Sequence, residues 1–337
     1  HYVFTVADDK TIRYGLGAIK GIGKAAIEII LQEVQERGAF TDLFDFCKRV
    51  NLQKVNRRVF EAAINSGAMD ALGPSRSILM ASLDKATQLA DQYTKNMNSG
   101  QIDVFGFENI TQTKQDNSTN FITVNDWSDD ERLKREKESL GFYLHGHPIE
   151  KYQSELDKFT SQKLKNLTLG HATLAAYVHS IRVRNTSRGK MAEVRLDDNS
   201  ALAVATIYSE PYQKYNHLLL KDQLIVVRCE VRVDEYAKSG KSIEVKELYS
   251  LNEYRAMHAS LLLNISATES LNGQIENLKS TLTSYTRGQM SVYIAYDNGT
   301  ARCQLYLGQE WSISISDDLL EQLKADFGVE NVMISYQ

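Results

Sequence analysis

Between residues 91 and 130 the helical recurrence of apolar side chains that runs through the first ninety positions stops, and "TQTKQDNSTN" within this stretch is polar and low in complexity. So little apolar surface does not offset the entropy of ordering the backbone, and the segment reads as a mobile connector. No single hydrophobic core can run through such a break. The 337 residues must therefore fold as separate bodies, and we expect five segments: helical 1–90, connector 91–130, helical bridge 131–168, strand-rich 169–255 and mixed 256–337.

The most informative part of the first segment is "GAIKGIGKAA", residues 17–26, where three glycines and two lysines surround short apolar steps. The backbone must turn sharply there and approach something closely. A glycine-rich turn opening a helix points free N–H groups and a positive helix end at one place, which suits a phosphate. Two nucleotide motifs fail on inspection. The triphosphate loop would need glycine at Ala18 and a hydroxyl at Ala25, and the dinucleotide fingerprint begun by Gly15 and Gly17 meets Lys20 at its third glycine. What remains is helix, a tight Gly21-Ile22-Gly23 hairpin, and a second helix on which Ile27, Ile30, Leu31 and Val34 recur at helical spacing. In this helix-hairpin-helix reading the hairpin N–H groups hold a duplex phosphate, Lys20 and Lys24 add charge, and no group reads a base. A purely structural helical hairpin with a glycine turn fits the same residues.

Residues 170–251 read as strands separated by turns: "HATLAAYVHSIRVR", "MAEVRLDD", "ALAVATIY", a short helix near 211–220, "QLIVVRCEVRVDEY" and "SIEVKELYS". Five strands with a helix between the third and fourth is the plan of an OB-fold, whose first and fourth loops bind oligonucleotides. Both loops are basic. The first carries Arg182, Arg184, Arg188 and Lys190, and the last carries Lys238 and Lys241. They would track a single strand electrostatically, with stacking a smaller contribution because aromatics are scarce on the middle strands. A structural barrel with solvated loops is the competing reading. Beyond it, "NGQIENLKSTLTSY" and "SDDLLEQLKADFG" read as helices, and "QMSVYIAYD", "ARCQLYLG" and "VMISY" as strands, an α+β pattern.

A net charge of −4 argues against a general nucleic-acid binder, but the charge is uneven. Residues 1–66 carry ten Lys/Arg against eight Asp/Glu and 171–250 twelve against ten, whereas 264–337 carry four against nine. The last segment should repel a phosphate backbone and prefer a protein partner. The cysteines, Cys47, Cys229 and Cys303, are odd in number and far apart, and no apolar run approaches a membrane span, so a reduced cytoplasm is expected. His145-Gly146-His147 lacks neighbouring ligands for a metal site, and Asp197-Asp198 precedes Asn199-Ser200, where a turn explains it.

"IRYGLGAIKGIGKAAIEII", "FTDLFDFCKRV" and "VNRRVFEAAINSGAMDALGPSRSILM" together resemble the bacterial replicative DNA polymerase III alpha subunit, in its C-terminal portion. The resemblance implies tandem helix-hairpin-helix units on duplex DNA, with a second hairpin at Gly67 preceded by Arg57 and Arg58. It further implies that Gln101, Ile102, Asp103, Val104 and Phe105 form the internal peptide that holds the beta sliding clamp. Burying Val and Phe contributes roughly 1.5 to 3 kcal/mol each, about micromolar binding for the isolated peptide, which tethering on one duplex would raise. "ERLKREKESLGFYLHGHPIEKY" resembles the bridge into the next domain. The family places an OB-fold at this point, on unpaired template, and a terminal domain that binds the tau subunit of the clamp loader. Its catalytic aspartates and Mg2+ lie in an upstream palm. The parent would then be a DNA-directed DNA polymerase and this stretch inactive alone, with no cofactor. A stand-alone helix-hairpin-helix and OB accessory protein of repair or recombination is the alternative.

Overall fold

The computed structural model describes residues 1–99, 120–235, 240–266 and 271–336. They form two compact units, His1–Pro148 and Ile149–Gln337. Among the described residues no helix is long and apolar enough to cross a membrane.

The first unit opens with a small antiparallel hairpin of β1 (Thr5–Asp8) and β2 (Thr11–Arg13), which an all-α expectation omits. The arm before the Gly21-Ile22-Gly23 turn is also shorter than a helix. Leu16–Ala18 is a 3-10 turn, and the N–H groups of Leu16 and Gly17 donate to His1 O and Tyr2 O at 3.0 Å each. A Cβ on Gly15 would fall 2.5 Å from the Val3 carbonyl carbon, and one on Gly17 would fall 2.8 Å from the Tyr2 ring. These two glycines let the N-terminal strand lie against the turn, and that packing displaces a regular helix.

Downstream the helices follow their local signals. α1 (Lys24–Arg37) ends at Gly38, φ +78°. α2 (Leu43–Arg49) is capped by Asp42, which accepts from Asp45 N–H, and α3 (Arg57–Asn65) by Asn56, which accepts from Val59 N–H. α4 (Arg76–Ser99) completes the core, with Ile27, Leu43, Phe60, Ile64, Leu79 and Leu83 almost wholly buried among these elements. α5 (Asp129–Leu140) is capped by Ser128 and closed by Gly141 in the left-handed region.

Both ends of the connector expected at 91–130 are instead built into the first unit, and its residues 100–119 lie outside the described residues. α4 runs on to Ser99, and from Asn120 the chain lies on the first core. The ring centroids of Phe121 and Phe44 are 5.2 Å apart, Ile122 N–H donates to Ser82 Oγ at 2.8 Å, and Arg135 lies over the Trp127 ring. Isolated aromatics anchor this extended stretch, a pattern with neither helical nor strand period.

In the second unit a closed barrel has strand order β3-β4-β5-β7-β6: β3 (Gly170–Thr186), β4 (Gly189–Asp197), β5 (Leu202–Ile207), β6 (Leu224–Val233) and β7 (Lys241–Ser250). α6 (Ser209–Tyr215) lies between the third and fourth strands, as the sequence predicts. Alternation explains the interior: Leu174, Ala176 and Val178 on β3, Val194 and Leu196 on β4, and Val227, Cys229 and Val231 on β6 all point inward. At Asp197-Asp198 there is a turn. Asn199 adopts φ +67°, and Asp198 Oδ1 accepts from the N–H groups of Ser200 and Ala201 while its Oδ2 accepts from Leu164 N–H.

The terminal sheet has order β10-β9-β8-β11: β8 (Ala259–Ser266), β9 (Thr286–Asp297), β10 (Arg302–Tyr306) and β11 (Val332–Tyr336). α7 (Leu251–His258) leads into β8, so the boundary expected at 256 falls inside a helix. α8 (Leu271–Thr283) and α9 (Asp317–Phe327) supply Leu278, Leu282, Leu319 and Leu323 to a core with Leu261, Leu263, Met290 and Val292. The bridge expected at 131–168 is divided, since α5 belongs to the first unit. Ile149 and Leu156 pack instead with Ala175, Val226, Leu251 and Tyr254 of the second.

Candidate nucleic-acid interface

Gly21 takes φ +97°, and a Cβ there would lie 3.3 Å from Ala62 Cβ and 4.0 Å from Arg58 O. The hairpin therefore rests on the start of α3, which brings Gly21, Ile22, Arg57 and Arg58 together. Ile22 itself is buried in the core. Gly23 is the N-cap of α1 without a side-chain cap, and nothing lies within 4 Å of the position its Cβ would occupy. The helix end is open, which is what an approaching phosphate requires. Lys24 is highly exposed, 3.8 Å from an equally exposed Glu28. Lys20 is exposed but partly used by the fold, since its N–H donates to Ser139 O at 2.9 Å and its ammonium lies near Gly141 at the end of α5.

The two arginines of α3 differ. Arg57 donates to Glu61 at 2.7 Å and pairs with Asp84, and the Glu61 and Asp84 hydrogen bonds raise its pKa. Arg58 is exposed.

Gly67, read as the apex of a second DNA-gripping hairpin, lies close to the Arg76 side chain. Its φ is +81°, and a Cβ would fall 2.1 Å from Arg76 Nη2. Arg76 donates from Nε and Nη2 to both Asp70 oxygens at 2.7 Å and from Nη1 to Glu136 Oε1 at 3.3 Å. That side-chain cluster occupies the side of Gly67 on which a Cβ would stand.

On the barrel, β3 and β4 continue as a two-stranded arm to the Thr186–Gly189 register, and every residue from Arg182 to Lys190 is exposed. This arm carries Arg182, Arg184, Arg188 and Lys190. Arg184 donates to Glu193 Oε2 at 3.0 Å, a pair about half exposed and weak in water. Lys241, at the start of β7, donates to Leu167 O at 2.6 Å and so fastens the preceding segment to the barrel. Lys238 lies outside the described residues, as do Gln101, Ile102, Asp103, Val104 and Phe105.

Sequence reading missed Arg195. It is exposed in mid-β4, in register with Ser180 on one side and Val204 on the other. The alternation in "MAEVRLDD" was enough to place it outward beside Glu193. The outer face of β6 and β7 is different, because Arg232 pairs with Glu230 at 2.7 Å and with Glu244 at 2.9 Å, and Lys246 lies beside the same two carboxylates. That face is close to neutral.

Cys47 and Cys229 are buried, and Cys303 is exposed. Burial pushes the Cys47 thiol up to about 12 and the Cys229 thiol to about 11, leaving both protonated. Among the described residues no group of three or more His, Cys, Asp or Glu side chains is placed to hold a metal ion.

Family models match three parts of the chain: a helix-hairpin-helix motif over residues 1–79, an OB-fold nucleic acid binding domain over 172–251, and the C-terminal domain of DNA polymerase III subunit alpha over 277–328. Curated relatives cover nearly all of it. The DNA polymerase III alpha subunits of Vibrio cholerae, Pasteurella multocida and Pseudomonas aeruginosa are 37%, 35% and 35% identical over 99% of this chain. The chain belongs to the DNA polymerase III alpha-subunit family. It spans 29–30% of the length of those alpha subunits, and it matches their C-terminal portion. Among solved structures it is similar to the second OB-fold domain of replication protein A from Methanococcus maripaludis, at 18% identity over 27% of this chain and 93% of that one, with a TM-score of 0.21.

Proposed function

We propose that the chain is the DNA- and partner-holding part of a replicative DNA polymerase III alpha subunit. The observation that carries this reading is the likeness to alpha subunits along 99% of the chain, together with an open helix end in one unit and an exposed cationic arm in the other. The Gly23 end of α1, with Lys20, Lys24 and Arg58 around it, holds backbone phosphates of the duplex. Arg57 contributes after exchanging a carboxylate for a phosphate. The arm of Arg182, Arg184, Arg188 and Lys190 follows unpaired template, and Lys238 and Lys241 flank it on the second loop.

Gln101 to Phe105 hooks the sliding clamp, and the acidic terminal domain takes the tau subunit of the clamp loader. DNA synthesis belongs to the parent polypeptide in the cytoplasm. Its Mg2+ is held by carboxylates of the parent's palm domain, outside this chain.

The test is capture of the purified clamp and of tau by the 337-residue chain. Gln101→Ala with Phe105→Ala should abolish clamp capture and leave duplex and single-strand affinity unchanged. Removal of residues 259–337 should abolish tau capture alone. Undiminished clamp capture by the double variant would overturn the peptide assignment, and retained tau capture would displace that site from the terminal domain.

A further inference from the structure

The face of the barrel formed by β3, β4 and β5 holds more than a basic loop. Side chains alternate along β5, and those facing outward are Leu202 and Val204, 58% and 49% exposed, followed by Tyr208 just beyond the strand at 52%. Beside this column β4 presents Arg195, in register with Val204, and Glu193, in register with Thr206, while Arg182 and Arg184 lie on the next strand with Arg184 paired to Glu193. The opposite face, on β6 and β7, has its charges internally paired.

Tyr208 occupies a particular place in this pattern. A Cβ on Gly189 would fall 3.2 Å from Ser209 Oγ, so the Arg188–Lys190 turn lies against the residue next to Tyr208. The ring thus stands at the end of the apolar column, next in sequence to the residue on which the Arg188–Lys190 turn rests. An aromatic face set among cations fits a polymer that alternates π-faces with phosphates, because stacking suits any base and the charges follow the backbone.

We propose that a base of single-stranded DNA stacks on Tyr208, with its flanking phosphates held by Arg188 and Lys190. This rests on the reading of the barrel as a single-strand site and adds a stacking residue to it. An apolar peptide on the same column would gain nothing from the arginines.

The experiment measures binding of a short oligothymidine to the full chain over a range of salt concentrations. Tyr208→Ala should weaken binding about tenfold, with the slope of log K against log salt unchanged because the substitution removes no cation, and Tyr208→Phe should bind as the parent chain does. An oligomer bearing 5-iodouracil should photocrosslink to the peptide containing Tyr208. Equal affinity of Tyr208→Ala, equal losses in the Ala and Phe variants, or crosslinks only at other residues would each overturn the stack. If charge reversal at Arg184, Arg188 and Lys190 weakens binding while Tyr208→Ala does not, the stack falls and the single-strand reading stands. If the parent chain binds no oligothymidine, both fall.

Discussion

Glu136 is wholly buried, and its oxygens accept from Leu144 N–H at 2.7 Å, His145 N–H at 3.0 Å, Arg76 Nη1 at 3.3 Å and His145 Nδ1 at 2.6 Å. Burial opposes its charge most strongly, yet the His145, Leu144 and Arg76 donors together hold its pKa below the ordinary 4.5. A carboxylate depressed in the folded state adds stability that is present above its unfolded value and is lost as pH falls through its folded value. Acid unfolding of the first unit, followed at Trp127 in a Trp311→Phe background, should therefore show a loss of stability below pH 4.5. Glu136→Gln should flatten that limb and lower stability at neutral pH. An unchanged acid limb would remove Glu136 from this role. The cluster also explains Gly67, since a side chain there would drive out the Arg76 guanidinium that neutralises Glu136.

At the scale of elements, the β3–β4 arm projects past the barrel as a ribbon whose two strands support each other by register, from Tyr177↔Asp197 to Thr186↔Gly189. Its cations sit at the far end, exposed and away from the barrel interior. Reversing Arg184, Arg188 and Lys190 to Glu should therefore leave the melting temperature nearly unchanged and weaken single-strand binding. The magnitude of the salt slope should fall by roughly 0.7 for each phosphate that is no longer neutralised. An unaltered slope would take the arm out of the binding path. The barrel strands were legible in the sequence because one face is buried and the other wet, which writes period two into the residues. β8 was not legible, because Leu261-Leu262-Leu263 in a central strand shows no alternation and does not distinguish strand from helix. The first arm of the hairpin motif misled for another reason: Gly15 and Gly17 serve contacts with Tyr2 and Val3 that local patterning does not contain.

At the scale of the whole molecule, the second unit is joined through Arg255, only 2% exposed. Its guanidinium donates to both Glu155 oxygens at 2.8 and 2.7 Å, to Asp317 Oδ1 at 2.7 Å and to Asn252 Oδ1 at 2.8 Å, while the Tyr336 hydroxyl donates to Glu155 and the Tyr152 hydroxyl to Asp317. One residue thereby ties the segment entering the barrel to α7, α9 and β11. Arg255→Met leaves two carboxylates without their counter-charge and should destabilise this unit by about 3–5 kcal/mol in a denaturant titration followed at Trp311 in a Trp127→Phe background. A loss under about 1 kcal/mol would show that apolar packing alone joins the barrel to the terminal sheet. The sequence by itself determined the order of helical, barrel and α+β regions, the turn at Asp197-Asp198 and the basic first loop, because each rests on neighbours within a few residues. Only the tertiary structure decided the partners of Arg76 and Arg255, the closeness of Gly67 to Arg76 and the place of Tyr208 at the end of the apolar column. Arg76 meets Glu136 across 60 positions and Arg255 meets Glu155 across 100. Charge and hydrogen-bonding capacity are visible in a string of residues, but which buried group satisfies which is settled when distant segments share one low-dielectric space.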